Sequence, residues 1–241
     1  KKKEAIMAVS EKETELTALI REYQIRDGRI RYQMLKENRS IAENSNAALE
    51  MATGDFVCLL DHDDLLEPDA LYEVADKIVQ DDRVDVIYTD EDKINSKGTK
   101  HLTPNMKPDF NLDLLRSNNY ICHLFVVRRI IVEKVGGFRK EFDGAQDYDF
   151  IFRCTEEADR IAHVHKVLYH WRTHEKSTSD NPDSKLYAFH AGKRAVEAHL
   201  QRMGVHASVE ETCDLGYYRV RYQVTGRPMV SILIPNKDQL A

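Results

Sequence analysis

The chain lacks any apolar run approaching the ~20 residues that a membrane-spanning helix needs. The opening Lys1-Lys2-Lys3, followed by the short stretch Ala5 to Val9, lacks the core of a signal peptide. There are only four cysteines, Cys58, Cys122, Cys154 and Cys213, far apart and without a CxxC pair. Three of them sit in apolar or helical runs, where cysteine behaves as a small buried hydrophobe. No disulfide is expected, and a reducing compartment fits. An excess of basic charge is missing too: 35 basic and 41 acidic residues are well mixed, for a net charge of −6. That excludes the basic stripe of a nucleic-acid binder. A polyanionic ligand would then need local help from a metal ion or from helix N-termini. The expected location is cytoplasmic, with docking on the inner face of a membrane left open. No internal repeat or low-complexity tract is present.

What is there is a core. Hydrophobic residues make up 42% of 241 residues, enough for one large α/β domain or two small ones. Residues 11–26 carry Leu16, Leu19, Ile20 and Tyr23 at the spacing of a surface helix, stopped by Asp27-Gly28. Ile30 to Leu35 reads as a strand, and Ser40 to Ala52 as a helix ended by Thr53-Gly54. Phe56 to Leu60 is a solid apolar run bounded by Gly54 and a cluster of aspartates, the mark of a strand buried on both faces. A helix follows from near Pro68. Val84 to Tyr88 is a second such run, closed by Asp90-Glu91-Asp92. Strand, helix, strand predicts a mostly parallel sheet with crossover helices. Ligands bind beyond the carboxyl ends of such strands, so both acidic clusters should lie on one edge. Further on, Ile121 to Val127 reads as a strand, Arg128 to Val135 as a short helix with a Gly136-Gly137 stop, and Asp147 to Glu157 as a helix. Ile161 to Trp171 is extended, Pro182 to Met203 a long helix, and Tyr217 to Val224 a half-exposed strand.

Four clusters can carry chemistry. Asp61-His62-Asp63-Asp64 follows the first buried strand. Carboxylates there suit a hard cation such as Mg²⁺ or Mn²⁺. Alternation puts Asp61 and Asp63 on one side and His62 on the other. Asp64 reads as a cap for the following helix, but three adjacent carboxylates exceed what capping needs. Asp90-Glu91-Asp92-Lys93 is the second cluster, balanced between a site and a solvated loop. Gln146-Asp147-Tyr148-Asp149 opens a helix, where acids favour the dipole or where one could serve as a general base. The fourth, His170 to Ser177, joins a possible metal ligand, His174, to cations suited to a diphosphate.

The order of these segments carries a resemblance. Residues 38–71, NRSIAENSNAALEMATGDFVCLLDHDDLLEPDAL, resemble the bacterial inverting glycosyltransferases of family 2, which have the GT-A fold. YTDEDKI (88–94), NYICHLFVVRR (119–129), VGGF (135–138), GAQDYDF (144–150), VLYHWRTHEKSTS (167–179) and GYYRVRY (216–222) match in order the branch that builds rhamnose-containing and O-antigen-type polysaccharides. The resemblance runs from about residue 28 to the end. It implies a GT-A-like α/β domain and metal-dependent transfer, with inversion, of a sugar from a nucleotide-sugar donor to a glycan or lipid-linked acceptor. By position, Asp61-His62-Asp63 would be the DxD motif, with Asp63 on the metal and Asp61 near the ribose and the metal's waters. Asp147 would deprotonate the acceptor hydroxyl. His174 would stand near metal and diphosphate, Asn38, Arg172 and Lys176 on the donor, and Asp90, Asp92, Asp149 and Trp171 on the acceptor side.

Three departures stand out. Arg39-Ser40 replaces the glycine usual after the Asn38 position. Gln146 replaces the acid often found before the base. The apolar first strand, second strand and Asp-rich turn that grip the nucleotide have no counterpart before residue 30. Instead PMVSILIPNKDQ (228–239) reads as such an opening strand at the opposite end. The chain is therefore expected to be a piece of a tandem protein: an incomplete transferase domain over residues 1–227, with its nucleotide-binding strands truncated, and the first strand of a following domain over residues 228–241. Self-association through that strand is expected. Two other readings stay open: a non-catalytic module of the same fold used for binding or assembly, and a nucleotidyltransferase, against which the absence of a glycine- and arginine-rich phosphate loop counts.

Overall fold

The computed structural model describes residues 3–9, 15–173, 186–235 and 237. His174 and Lys176 lie outside them. The described part is α/β. It opens with β1 (Ala5–Val9), α1 (Glu15–Arg26) and β2 (Ile30–Met34), in which the two strands pair in parallel. A strand–helix–strand unit therefore does precede the first conserved-looking motif, contrary to the expectation that nothing of the kind stands before residue 30. This strand is apolar but only five residues long and has charged flanks, and only Val9 of it is buried.

α2 (Ile41–Leu49) follows, capped by Ser40, whose Oγ accepts from Glu43 N at 3.2 Å. The serine that displaces the glycine thus starts a helix. Then come β3 (Phe56–Leu59), β4 (Leu65–Leu66), α3 (Ala70–Gln80), β5 (Val86–Ile94), α4 (Leu112–Ser117), β6 (Phe125–Arg128), α5 (Arg129–Val135), α6 (Gln146–Glu157), β7 (Ile161–Arg172), α7 (Leu186–Arg202), β8 (Ala207–Glu211) and β9 (Tyr218–Tyr222). The central sheet has the order β3-β6-β5-β7-β4 and is mixed, not mostly parallel. β6 is antiparallel to both β3 and β5, β4 is antiparallel to β7, and β5 and β7 run parallel. β3 and β5 keep a common direction because both oppose β6, which lies between them. β8 and β9 form a separate antiparallel pair.

Two boundaries differ in ways that matter. β5 does not stop at Tyr88. It runs through the acids to Ile94, because β7 continues beside it with register shifts around Asp90. The second acidic cluster is therefore neither a strand end nor a solvated loop. β6 starts only at Phe125, and residues 119–124 form a buried loop before it.

Ala42, Val86, Tyr88, Phe125, Phe150 and Val196 belong to the larger core cluster, which joins the sheet to α2, α6 and α7. Val74, Ile87, Leu124 and Leu168 form a second one on the α3 side. α6 is tied down by charge. Asp149, 0% exposed, accepts from Arg153 Nε at 2.9 Å and Arg139 Nε at 3.0 Å, and Arg153 also donates to the carbonyls of Val135 (2.8 Å) and Gly137 (2.8 Å). The expectation that Asp149 lines the acceptor side is thereby corrected: it is a buried anchor. Replacing Asp149 with alanine leaves two partly or fully buried guanidiniums unpaired, so unfolding in urea should show a loss of about 3–5 kcal/mol. A loss under about 1 kcal/mol would show the network to be dispensable.

Candidate active site

The turn after β3 sets Asp61 on the wall of a cleft. Asp61 N donates to Tyr169 Oη at 3.2 Å, and Tyr169 Oη in turn donates to the Asp64 carboxylate. Asp64 also accepts from Arg172 N at 2.7 Å, and Arg172 Nε donates to Asp63 O at 2.5 Å. Asp64 is not the cap expected of it. α3 begins at Ala70 with Asp69 before it, and the buried Asp64 instead bolts the turn to β7. Burial pushes its carboxyl pKa up, against the hydrogen bonds from Tyr169 and Arg172. Arg172 likewise serves the turn: it also donates to Ser96 O at 2.9 Å, so its guanidinium is spent on carbonyls and does not line the cleft. His62 is 98% exposed on its side chain, with its Nδ1 3.9 Å from Asp63 Oδ1; residues 61–64 form a turn, so the strand alternation expected of them does not hold.

The cleft belongs to a cavity of about 1230 Å³ whose wall includes Asp61, Glu91, Asn119, His123, Asp147 and Trp171. Asp147 stands in the first turn of α6, half-buried, with Asn119 Nδ2 donating to its Oδ2 at 2.9 Å. Burial raises its pKa, the neighbouring His123 works against that rise, and the charge of Asp61 adds to it. Gly144, at φ +95°, lets the preceding loop turn tightly against Ala188, where a side chain would collide. Its N–H donates to Gln146 Oε1 at 2.9 Å. The glutamine that stands before Asp147 therefore closes the turn.

Of the expected acceptor-side residues, Trp171 lines the cavity and Asp90 and Asp92 do not. Along an extended strand, alternate residues face opposite sides. Glu91 and Lys93 take the cleft side, while Asp90 and Asp92 are buried against histidines: Asp90 Oδ1 lies 2.8 Å from His163 Nε2, and Asp92 Oδ1 lies 2.6 Å from His170 Nδ1. Asn38 is exposed and takes a hydrogen bond from Asn44 Nδ2 at 2.7 Å, away from the cavity.

The sequence reading missed three groups. His123 Nε2 lies 3.6 Å from Asp61 Oδ2, and its ring stacks on Tyr169 at 4.6 Å and meets Trp171 edge-on at 5.9 Å. Lys107, 6% exposed, pairs with Glu91 Oε2 at 3.1 Å and donates to Ile121 O at 2.7 Å and to His123 O. It clamps the loop that carries His123. Asn119 orients Asp147. For His123 and Asn119 the signal was a polar Asn-Asn and Cys-His set within the otherwise apolar stretch 118–127; Lys107 lies outside it.

Chemically, the cleft joins Asp61, a carboxylate able to help hold a hard cation, to a carboxylate with a raised pKa, Asp147, across a histidine and an indole face; Asp63, two residues after Asp61, is not on the cavity wall. A removable proton near Asp147 would find a base stronger than an ordinary aspartate.

Similarity to known proteins bears on the family and the fold. The sequence model described as Glycosyl transferase family 2 matches residues 1–136, so the family similarity begins well before residue 28. The chain is 42% identical over 229 residues to the uncharacterized protein y4gI of Sinorhizobium fredii, covering 94% of this chain and 25% of that protein. It is 38% identical over 224 residues to the O-antigen biosynthesis protein RfbC of Myxococcus xanthus, covering 93% and 17%. The chain thus spans a quarter or less of the length of these relatives. Among solved structures, S. aureus TarS 1–349 in complex with UDP superposes with a TM-score of 0.61 at 18% identity, covering 82% of this chain and 56% of that one. The mannosyltransferase PcManGT of Pyrobaculum calidifontis in complex with GDP-Man and Mn²⁺ gives 0.54 at 16% identity, covering 83% and 54%. These likenesses show the fold, the GT-A-like α/β arrangement.

Because His123 holds the Asp147 pKa down from the value burial alone would set, His123→Gln should move it further up. Carboxyl ¹³C NMR titration reads this directly. The wild-type midpoint is expected above the ordinary aspartate value of about 3.9, and the variant's midpoint above the wild type's. An unchanged or lower midpoint in the variant would disprove the coupling.

Proposed function

The chain belongs to glycosyl transferase family 2, and from that premise we propose that its cleft transfers a sugar from a nucleotide-sugar donor to a glycan or lipid-linked acceptor, with inversion, in the assembly of a bacterial surface polysaccharide. The observation that carries this reading is the meeting of the β3-end carboxylate Asp61 with the raised-pKa Asp147 on the wall of one cavity, with Asp63 two residues on in the same turn. The relative named for O-antigen biosynthesis supports the pathway class. The neighbours in complex with UDP and with GDP-Man and Mn²⁺ support the donor class and a divalent ion.

The donor atoms fit such an ion. Asp61 and Asp63 offer only oxygen, the preference of Mg²⁺ or Mn²⁺, and Asp61 is on the cavity wall. When bound, the ion would stabilise the charge that grows on the departing diphosphate. The residues of this chain do the rest. Asp147, held by Asn119, takes the proton of the acceptor hydroxyl. The acceptor oxygen then bonds to the anomeric carbon as the bond to the nucleoside diphosphate breaks on the opposite face, which inverts the configuration. Trp171 gives the sugar an apolar face, and Tyr169 and Arg172 hold the aspartate turn still.

Two outcomes test this. Asp63→Ala should abolish metal-dependent binding of the donor in calorimetric titrations with UDP-, dTDP- and GDP-sugars, each with and without Mn²⁺. Asp147→Asn should keep donor binding and lower turnover about a hundredfold or more, the scale of lost general-base catalysis. Because the base must be ionised, the rate should rise with pH through the raised Asp147 pKa and then level off. Unchanged metal dependence in the first variant, or near-normal turnover in the second, would refute these roles.

We propose also that the C-terminal strand segment self-associates. β3 pairs with β6 along one edge, and β1 with β2 along one edge. Between their other edges the cavity extends, walled by Ile6 and Phe56, by Leu49 of α2 and by Val74 and Ile78 of α3. Two unpaired edges under two apolar helix faces invite one more strand. Met229 to Ile234 has the composition for it, and its apolar residues are 76–96% exposed, outside the cavity of their own chain. In this reading a second copy supplies the strand, as in a swap. Light scattering should give a dimer mass that deletion of residues 228–241 halves, with a lower melting temperature. A monomer before and after deletion would exclude the swap.

A further inference from the structure

On the flank of the sheet away from the cleft, His163 and His165 stand two residues apart on β7, so their side chains share a face. Asp109, on the loop before α4, faces them. His163 Nδ1 lies 3.6 Å from Asp109 Oδ1, and His165 Nε2 lies 3.1 Å from the same oxygen. The three ligand atoms all fall within 4.8 Å of one another. Two atoms each about 2.0–2.1 Å from a tetrahedral zinc ion are about 3.3 Å apart, and the two distances bracket that value.

A second, independent feature points into this triad. His163 is 4% exposed, and its Nδ1 has no hydrogen-bond partner. A buried ring nitrogen without a partner is costly. The other nitrogen, Nε2, is engaged by Asp90 at 2.8 Å. This is the carboxylate–histidine arrangement that fixes a ring's tautomer and aims its free lone pair at a metal. The support is rigid. Tyr88 stacks on the His163 ring at 4.6 Å and donates through Oη to Pro108 O at 2.6 Å, and Asp90 accepts from Lys107 N at 2.8 Å. The residues on both sides of the triad are therefore bolted to the same strand, β5. His165 and Asp109 stay open to solvent, which gives an entry path.

The other mixed cluster, Asp92, His101 and His170, lacks this feature. Both His101 Nδ1 and His170 Nδ1 already lie within 2.8 Å of an Asp92 oxygen, and His170 Nε2 lies 3.1 Å from Glu67. Three of its four ring nitrogens already have carboxylate partners.

We propose that His163, His165 and Asp109 form a binding site for a borderline transition-metal ion such as Zn²⁺, with one coordination position left to water. Two imidazoles and one carboxylate select such ions over Mg²⁺, which prefers oxygen alone. The ion would fasten the 107–109 segment to β7 and thereby secure Lys107, whose ammonium clamps the cleft loop from the other side of β5.

The test is titration of the untagged chain with Co²⁺ and Zn²⁺ in the presence of excess Mg²⁺. One equivalent of Co²⁺ should give the visible d–d bands of a tetrahedral site, and Zn²⁺ should displace it and raise the melting temperature. The exposed His165→Ala should lower Co²⁺ and Zn²⁺ affinity at least tenfold without altering the fold by circular dichroism, and Asp109→Asn should lower it as well. The absence of d–d bands would overturn the site. So would a loss of binding in His101→Ala or Asp63→Ala with His165→Ala unaffected, since the metal would then sit at the other histidine cluster or at the β3-end aspartates.

Discussion

A carboxylate cannot be buried without a partner, and that constraint organises this molecule more than any other. The chain spends its acids on both sides of the sheet, and among the described residues five of them are buried: Asp64, Asp90, Glu91, Asp92 and Asp149. Each is held by a specific donor. Tyr169 and Arg172 hold Asp64, His163 and Lys107 N hold Asp90, the Lys107 ammonium holds Glu91, His170 and His101 hold Asp92, and two arginines hold Asp149. An uncompensated charge in any of these places would cost several kcal/mol, so the partners fix the positions of β5, β7 and α6 relative to one another. The acids left for chemistry are those that this scheme keeps at the cavity wall.

The parallel pair β5–β7 is where the scheme is densest. Its register shifts around Asp90, and a bulge of this kind re-aims side chains. On one side Glu91 and Lys93 reach the cleft, with His123 and Trp171 beside them. On the other, Asp90 and Asp92 support histidines. One strand thus serves two faces: a family-type cleft on one and a histidine-rich flank on the other. Lys107 links them, since its backbone amide is bound by Asp90 and its ammonium by Glu91.

The expected elements that survived folding best were those whose pattern is self-sufficient. Phe56 to Leu60, the helix over Ser40 to Ala52, and the helix over Asp147 to Glu157 are each marked by local hydrophobic period or by a stop, and each appears with its ends within three residues. All four cysteines are free thiols, as their spacing implied, and burial pushes Cys58 up to about 12. No helix among the described residues is long and apolar enough to cross a membrane. Within the N-terminal unit α1 is the surface helix its spacing predicts, with Leu16, Leu19 and Tyr23 exposed, and β2 starts at Ile30 as expected; only β1, a five-residue apolar run with one buried residue, was not anticipated.

By itself the sequence determined the class of fold, the family, and the acids worth watching, because motif order and hydrophobic period are written along the chain. It placed Asp61, Asp63 and Asp147 as candidates by position alone. Only the tertiary structure decided which carboxylates face the cleft and which are anchors. The reason is that a side chain's role depends on its partner, and the partners lie far off in sequence: Asp64 meets Tyr169 and Arg172, Asp90 meets His163, and Glu91 meets Lys107. The strand direction of the sheet was likewise settled in three dimensions. β6 inserts antiparallel between β3 and β5, a pairing of edges that no local run of residues records.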